Sequence, residues 1–151
     1  MTKPLIFMDP FPRNEAMVYT HECAAALAEM GRVVVHWGSR APDDLVEKHL
    51  ADMTILIGQT AMSKERLNRA PNLQAILNVK ANWEPNIDYA ECHARGISVL
   101  SAAPAMAPAV AEFCVGQAIM LLRGLHKSNA LFRTGNEAYG IGGNKTAKSL
   151  Y

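Results

Sequence analysis

The chain has 151 residues, a length sufficient for one domain with a buried core. Its composition, 50% hydrophobic and 19% charged, is typical of a soluble globular protein. Its net charge of +1 excludes the strong positive field on which nucleic-acid and membrane-surface binding depend. The three cysteines, Cys23, Cys92 and Cys114, lie far apart without metal-ligand spacing. They favour reduced thiols in a cytoplasmic protein and predict no metal site.

Short apolar segments alternate with helical patterns along the first hundred residues. Strands are predicted at Leu5–Met8, Val33–Trp37, Met53–Gly58, Leu73–Val79 and Ile97–Leu100. Helices are predicted over Asn14–Met30, from Pro42 onward, over Lys64–Arg69 and over Ile87–Arg95. The alternation predicts an α/β fold with a flavodoxin-like, doubly wound parallel sheet of five strands in the order 2-1-3-4-5.

Several residues predict where these helices begin and end. Ser63 is expected to cap the helix over Lys64–Arg69, with Met62 and Leu67 spaced as a hydrophobic staple. Asn86 is expected to cap the following helix, and Gly96 to leave it in the left-handed conformation. The first helix is expected to end at Gly31 and to carry one apolar stripe, formed by Met17, His21, Ala24 and Leu27.

A long apolar helix is predicted after Pro108. It is expected to begin at the triplet Val110-Ala111-Glu112, with Val110 facing inward, and to end at Arg123. Because it is apolar nearly all round, we expect burial on several sides, as in an interdomain or dimerisation helix. Two prolines, a glutamate and a glutamine interrupt the apolar stretch, so no membrane span is expected. Three parts are predicted: a domain over 1–106, this helix over 107–126, and an arm or linker over 127–151 that includes a helix over Lys127–Arg133.

The loop Lys80-Ala81-Asn82-Trp83 follows the fourth predicted strand. In open α/β folds, ligands bind where parallel strands end at their carboxyl edge. Main-chain N–H groups leaving a strand can bind a carboxylate there without any charged side chain. We therefore expect this loop to bind an anion, with Lys80 adding a cation and Trp83 excluding water.

Three motifs together resemble a known family. They are the Lys80–Trp83 loop, the helix that joins Asn86-Ile87-Asp88 to Arg95-Gly96-Ile97, and the triplet Val110-Ala111-Glu112. In this order and spacing they are similar to the substrate domain of the D-isomer-specific 2-hydroxyacid dehydrogenases. This NAD(P)-dependent family includes phosphoglycerate dehydrogenase and glyoxylate/hydroxypyruvate reductases.

The resemblance implies an oxidoreductase that transfers a hydride between nicotinamide and C2 of a small 2-hydroxy or 2-oxo acid. Substrate binding is then expected at Lys80, Ala81, Asn82 and Trp83, and a cofactor contact at Val110. The family's catalytic histidine, arginine and carboxylate are expected beyond Tyr151, so no catalytic residue is assigned here. The implied partners are an NAD-binding domain, which would bind NAD or NADP, and a second copy in a homodimer. The isolated chain is expected to bind no cofactor and to be inactive.

Other functions remain open on the residues alone. The five histidines have no carboxylate at an orienting spacing, which favours structural roles. A phosphorylatable receiver fits poorly, because the third predicted strand ends in Gly58-Gln59 rather than in an acid. Gly140-Ile141-Gly142-Gly143 follows no strand, so a nucleotide-binding turn is not expected there. A dimerising interaction or regulatory module without catalysis remains the alternative, since the apolar helix would need a cover.

Overall fold

The computed structural model describes residues 3–18 and 20–136 of the chain. Its five strands form one parallel sheet in the order β2-β1-β3-β4-β5, which confirms the predicted fold class and strand order. The strands are β1 (Leu5–Asp9), β2 (Arg32–Val35), β3 (Met53–Gly58), β4 (Ala75–Asn78) and β5 (Ser98–Ser101). The division between two compact units falls between Pro104 and Ala105. The predicted domain limits at 106 and 126 stay predictions.

Five helices of the first unit cover the two faces of this sheet. They are α1 (Glu15–Val18), α2 (His21–Met30), α3 (Asp43–His49), α4 (Lys64–Asn68) and α5 (Tyr89–Ala94). The larger core cluster joins Phe7, Leu56 and Ile76 of the strands to side chains of α3, α4 and α5. The smaller cluster, on Ile6, Met8 and Ile57, contacts Val18 and Leu27 of α1 and α2. Helices on both faces make the sheet doubly wound.

The interior strand β1 explains why the strands of this sheet are apolar in the sequence. All five residues of β1 are buried, because β2 and β3 pair with its two edges and both of its faces are packed. A strand that is covered on both faces needs a continuous apolar segment rather than an alternating one. The only exception is the last residue, Asp9, which lies at the carboxyl edge of the sheet.

The predicted helix over Asn14–Met30 is wrong as a single element. The structure has two helices there, and Thr20 caps the second by accepting a hydrogen bond from the Cys23 N–H. A threonine side chain that binds the backbone in this way favours a helix start over a helix interior. The predicted apolar stripe is wrong for Met17, which is 67% exposed, and for His21, which is also exposed, whereas Ala24 and Leu27 are half-buried and Leu27 packs against the core.

Other predicted helix limits were confirmed or shifted. Ser63 caps α4 by accepting from the Arg66 N–H, and Gly96 has a φ of +69°, as predicted. The cap of α5 is Asp88, which accepts from the Glu91 N–H, rather than Asn86. Gly31 ends α2 in extended backbone, where a side chain would lie 2.5 Å from the Pro4 carbonyl oxygen. It is therefore needed for close approach to β1 rather than for a left-handed turn.

The second unit contains α6 (Ala103–Arg123) and α7 (Leu125–Arg133). The helix α6 begins at Ala103 rather than at Val110 and includes Pro108, whose missing N–H removes a single helical hydrogen bond. This chain does not itself cover α6, which has no buried residue and whose Phe113 is 66% exposed, so the expected burial by another domain or subunit stays a prediction. Among the helices of the described residues, only α6 is long and apolar enough to cross a membrane. A single helix of this kind is weak evidence for a membrane span.

Candidate functional site

Four polar side chains are buried side by side at the carboxyl edge of the sheet. Asp9 ends β1, Asn78 ends β4, and Gln59 and Thr60 follow β3; each is at most 4% exposed. These three strands are neighbours, so their carboxyl ends bring the four residues together. Buried polar groups are costly unless they are paired. Their partners therefore fix the loops around the candidate site.

Asp9 joins two loops that the sequence separates widely. One of its carboxylate oxygens accepts a hydrogen bond from the Ala41 N–H at 3.1 Å. The other accepts from the Thr60 hydroxyl at 2.9 Å. Hydrogen bonds to a charged group are stronger than those between neutral groups. Asp9 is thus a structural anchor that holds the chain after β2 against the chain after β3.

Gly58 allows β3 to approach β1 at this point. Its φ is +144°, and a side chain there would lie 2.1 Å from the carbonyl oxygen of Asp9. Only glycine combines that backbone conformation with so close an approach. The next residue, Gln59, can then donate its main-chain N–H to the same carbonyl oxygen at 3.2 Å.

Asn78 fixes the start of the predicted binding loop. Its side-chain oxygen accepts from the Gln59 side-chain amide at 3.3 Å and from the Lys80 main-chain N–H at 3.2 Å. On the other side, the Ala102 N–H donates to the main-chain oxygens of Asn78 and Lys80, at 3.2 and 3.4 Å. The Lys80 N–H is therefore already paired with Asn78, whose side chain Gln59 holds from the end of β3. The Lys80 carbonyl oxygen is held by Ala102, which follows β5.

The loop forms without glycine and without left-handed backbone. Among the described residues, every positive φ belongs to a glycine, so Lys80, Ala81 and Asn82 all have ordinary backbone conformations. In the described part of the chain, the N–H groups of Ala81, Asn82 and Trp83 donate no hydrogen bond. Three neighbouring main-chain donors are therefore free to bind an anion at the carboxyl edge of the sheet.

Tyr89, on α5, holds the far end of the loop. Its hydroxyl donates to the Glu84 carbonyl oxygen at 2.6 Å and accepts from the Glu84 N–H at 3.1 Å. Its ring also packs edge-on against the Trp83 indole, with the ring centroids 4.8 Å apart. The indole is nevertheless 73% exposed. Trp83 is thus oriented by Tyr89 while most of its surface remains accessible.

The carboxylate of Glu84 lies among positive and donating groups. The Lys80 ammonium is 3.0 Å from a Glu84 carboxylate oxygen. This hydrogen bond is the largest cause that lowers the pKa of Glu84, and the Lys80 charge, the Asn82 side-chain amide and the Arg40 charge lower it further. Arg40 comes from the chain after β2, where its guanidinium donates to the Gln59 carbonyl oxygen at 2.6 Å. The predicted cation Lys80 is therefore already paired within its own loop.

A cavity of about 380 Å³ lies beside the loop. Its apolar wall consists of Leu77, Trp83, Val99, Leu100 and Pro104, and its polar groups are Asn78, Asn82 and Ser101. Apolar walls with a few converging polar groups are typical of small-molecule sites. A slightly larger cavity of about 400 Å³ opens at the opposite, amino edge of the sheet. Ligands of open α/β sheets bind at the carboxyl edge, so the cavity beside the loop is the relevant one.

The four predicted substrate-binding residues share this one loop, whereas Val110 is on α6. Val110 is 54% exposed in this chain, and its predicted inward orientation and cofactor contact stay predictions. Sequence reasoning missed five residues that shape the loop: Arg40, Gln59, Asn78, Glu84 and Tyr89. Glu84 could have been found from its spacing of four residues from Lys80. Asn78 and Gln59 could have been found as polar residues ending neighbouring strands.

The histidines have local structural contacts. The His36 ring is 2.9 Å from the Ser39 hydroxyl, and the His49 ring packs against Phe7 with centroids 5.9 Å apart. Burial is the largest cause that lowers the pKa of His49, followed by the charges of Lys48 and Arg32. Within residues 3–18 and 20–136, no three histidine, cysteine or acidic side chains are grouped to hold a metal ion.

Fold and site together define an open α/β domain with a loop at its carboxyl edge that presents three free main-chain N–H groups. Comparison with known protein families then gives the class. The chain belongs to the D-isomer-specific 2-hydroxyacid dehydrogenases: residues 6–150 match the catalytic domain of that family. The resemblance seen in the sequence is therefore confirmed. No curated protein sequence matches the chain closely enough to count as a relative.

Solved structures show the same fold. A phosphoglycerate oxidoreductase from Rhizobium etli is 32% identical, with a TM-score of 0.78 over 98% of this chain. An NADPH-dependent glyoxylate/hydroxypyruvate reductase from Sinorhizobium meliloti, in complex with citrate, is 21% identical, with a TM-score of 0.65 over 99%. A D-lactate dehydrogenase from Aquifex aeolicus, complexed with NAD and lactic acid, is 17% identical, with a TM-score of 0.57 over 97%. This chain spans 45%, 44% and 41% of those three chains.

The Glu84 carboxyl is expected to titrate below the usual range of a glutamate, because the Lys80 ammonium stabilises its charged form. Carbon-13 NMR of the Glu84 side chain measures this pKa. Lys80→Met should raise it, whereas Lys64→Met, which removes the ion pair to Glu91, should leave it unchanged. A carboxyl group whose pKa is lowered by folding stabilises the folded state at a pH above its pKa in the unfolded chain. This stabilisation is lost as the pH falls through its pKa in the folded chain. An unchanged Glu84 pKa in Lys80→Met would contradict the assignment.

Proposed function

We propose that this chain forms the substrate-binding wall of an NAD(P)-dependent D-2-hydroxyacid dehydrogenase or 2-oxoacid reductase. Such an enzyme transfers a hydride between nicotinamide and C2 of a small 2-hydroxy or 2-oxo acid. The observation that carries the proposal is the set of free N–H groups at Ala81, Asn82 and Trp83, on a loop held at both ends. Membership of the family supports the reaction class.

The role of the loop is to hold and orient the substrate carboxylate. Main-chain donors that are already fixed bind an anion without the entropy cost of ordering a flexible loop. Asn78 fixes the first end of the loop and Tyr89 the second, so the donors keep their positions before the substrate arrives. The side chain of Trp83, oriented by Tyr89, would then cover the bound acid and exclude water. Each hydrogen bond to the charged carboxylate is worth about 1.5–3 kcal/mol.

The cofactor is expected to bind outside the described residues. A dinucleotide needs a strand, a Gly-x-Gly-x-x-Gly turn and a helix whose first N–H groups face the pyrophosphate. None of the five described strands is followed by such a turn. The described residues therefore do not fit NAD or NADP. We propose that an NAD-binding domain supplies the cofactor site, the hydride and the acid/base groups, and that this chain binds no cofactor by itself.

The exposed side chains of α6 support a homodimer. Phe113, Val115, Ile119, Leu121 and Leu122 are each more than half exposed. An apolar surface of this extent marks an interface in soluble proteins. We propose a soluble, cytoplasmic homodimer without membrane or nucleic-acid partners. The same observation also favours the alternative function, a flavodoxin-like interaction or regulatory module that dimerises without catalysis.

Titration of the chain with glycolate, followed by two-dimensional NMR, tests the proposed site. The largest shifts are expected for the N–H signals of Ala81, Asn82 and Trp83. Ala81→Pro removes one donor and should weaken binding about tenfold or more, the effect of losing one hydrogen bond to a charged group. Ala81→Gly keeps the donor and should bind nearly as well. Equal shifts with glycolamide, which has no charge, would contradict a carboxylate site.

The purified 151-residue chain is expected to show no NADH- or NADPH-dependent reduction of glyoxylate or hydroxypyruvate. The reason is that the described residues offer neither a dinucleotide turn nor an oriented acid/base histidine. The absorbance of the reduced cofactor at 340 nm measures the rate, with a full-length glyoxylate reductase as the positive control. Turnover that rises in proportion to the chain concentration would refute this part of the proposal.

Sedimentation equilibrium tests the proposed homodimer. The chain is expected to sediment as a dimer, and Phe113→Glu should shift it to monomer, because a charge in an apolar interface is left without a partner. Met17→Glu adds the same charge at a similarly exposed methionine of α1 and should leave the dimer intact. A monomer that binds no apolar dye would contradict both the homodimer and the alternative function.

A further inference from the structure

The Glu84 carboxylate is held by side chains of the same loop that carries the three free N–H groups. It contacts the Lys80 ammonium at 3.0 Å and the side-chain amide of Asn82, and it lies within the field of Arg40. These groups come from two parts of the chain, the loop after β4 and the connection after β2. An acidic group that pairs with one cation, next to an amide donor and within the field of a second cation, indicates where the loop favours an anion.

The loop can release this carboxylate without changing its backbone. Tyr89 holds Glu84 through the main-chain N–H and carbonyl oxygen, not through the side chain. Rotation of the Glu84 side chain alone would therefore free Lys80 and Asn82 while the N–H groups of 81–83 stay in place. Both members of the ion pair reach solvent, because their side chains are 38% and 24% exposed. The pair is thus within reach of a competing anion.

We propose that Glu84 is an internal competitor for the substrate carboxylate, which binds by displacing it from Lys80 and Asn82. This inference rests on the proposed function, because it assumes that a small 2-hydroxy or 2-oxo acid binds at this loop. A tethered carboxylate acts at a high effective concentration, so it weakens the binding of every simple carboxylate. An acid that also uses the free N–H groups of the loop overcomes the competition. Glu84 thereby favours such acids over other cellular anions.

Replacing the competitor by its neutral isostere should strengthen substrate binding. Glu84→Gln is expected to bind glycolate about two- to fivefold more tightly than the unchanged chain, the range set by the strength of a partly exposed ion pair. Glu29→Gln, on α2, removes one negative charge elsewhere and should leave the affinity unchanged. The NMR titration of the Ala81, Asn82 and Trp83 signals measures the dissociation constant of each variant.

A second pair of variants separates displacement from a general charge effect. In the background of Lys80→Met there is no ammonium to release, so adding Glu84→Gln should no longer tighten glycolate binding. In the unchanged chain, saturating glycolate should raise the pKa of Glu84 towards its usual value. The groups that face its carboxylate are Lys80, Asn82 and Arg40, and displacement removes the first two. If Glu84 had a purely structural role, Glu84→Gln would not tighten glycolate binding, and glycolate would not raise the pKa of Glu84.

The possible outcomes separate this inference from the proposed function. Tighter binding in Glu84→Gln that depends on Lys80 supports it. If glycolate shifts the loop signals but Glu84→Gln and Glu29→Gln bind alike, the competition is refuted and the substrate site stands. If Glu84→Gln tightens glycolate binding equally in the unchanged chain and in Lys80→Met, the competition is also refuted. If neither the unchanged chain nor Glu84→Gln binds glycolate at the loop, the site and the inference both fail.

Discussion

The candidate site depends on one constraint, the pairing of buried polar groups where neighbouring strands end. Asn78 cannot be buried at low cost unless its side-chain oxygen finds donors, and it finds them in Gln59 and in the main chain of Lys80. The buried Asp9 carboxylate likewise accepts hydrogen bonds from the connections after β2 and β3. Satisfying these groups fixes the loops, so the donors of the binding loop hold their positions without any ligand.

This arrangement explains how the loop keeps its shape without glycine. Glycine-rich loops bind anions through backbone conformations that other residues adopt at a cost. Here a side chain, Asn78, does part of that work by holding the Lys80 N–H, and Tyr89 fixes the other end. The loop then keeps ordinary backbone conformations and can carry Lys80, Asn82 and Glu84. Side chains that would be absent from a glycine loop can adjust the charge of the site.

The two units of the chain differ in how they are stabilised. The first unit buries a continuous core on both faces of its sheet, which is sufficient for an independent domain. The helix α6 of the second unit has no buried residue, although its sequence is among the most apolar in the chain. Exposed apolar surface of this extent is typical of an interface with another domain or subunit. That requirement fits a chain that spans less than half of the solved structures it matches.

The sequence alone determined the α/β class, the order of the five strands, the family, and the position of the loop after β4. The class and the loop position follow from local patterns of strands and helices, the strand order from the flavodoxin-like fold that such alternation indicates, and the family from the resemblance of three motifs. The tertiary structure decided that Thr20 divides the first helix and that Val110 is exposed, and it showed the ion pair of Lys80 and Glu84 that their spacing permits. It also brought Arg40, Gln59 and Tyr89 to the loop. Contacts between residues far apart in the chain depend on how the strands and helices pack, and no local pattern contains that information.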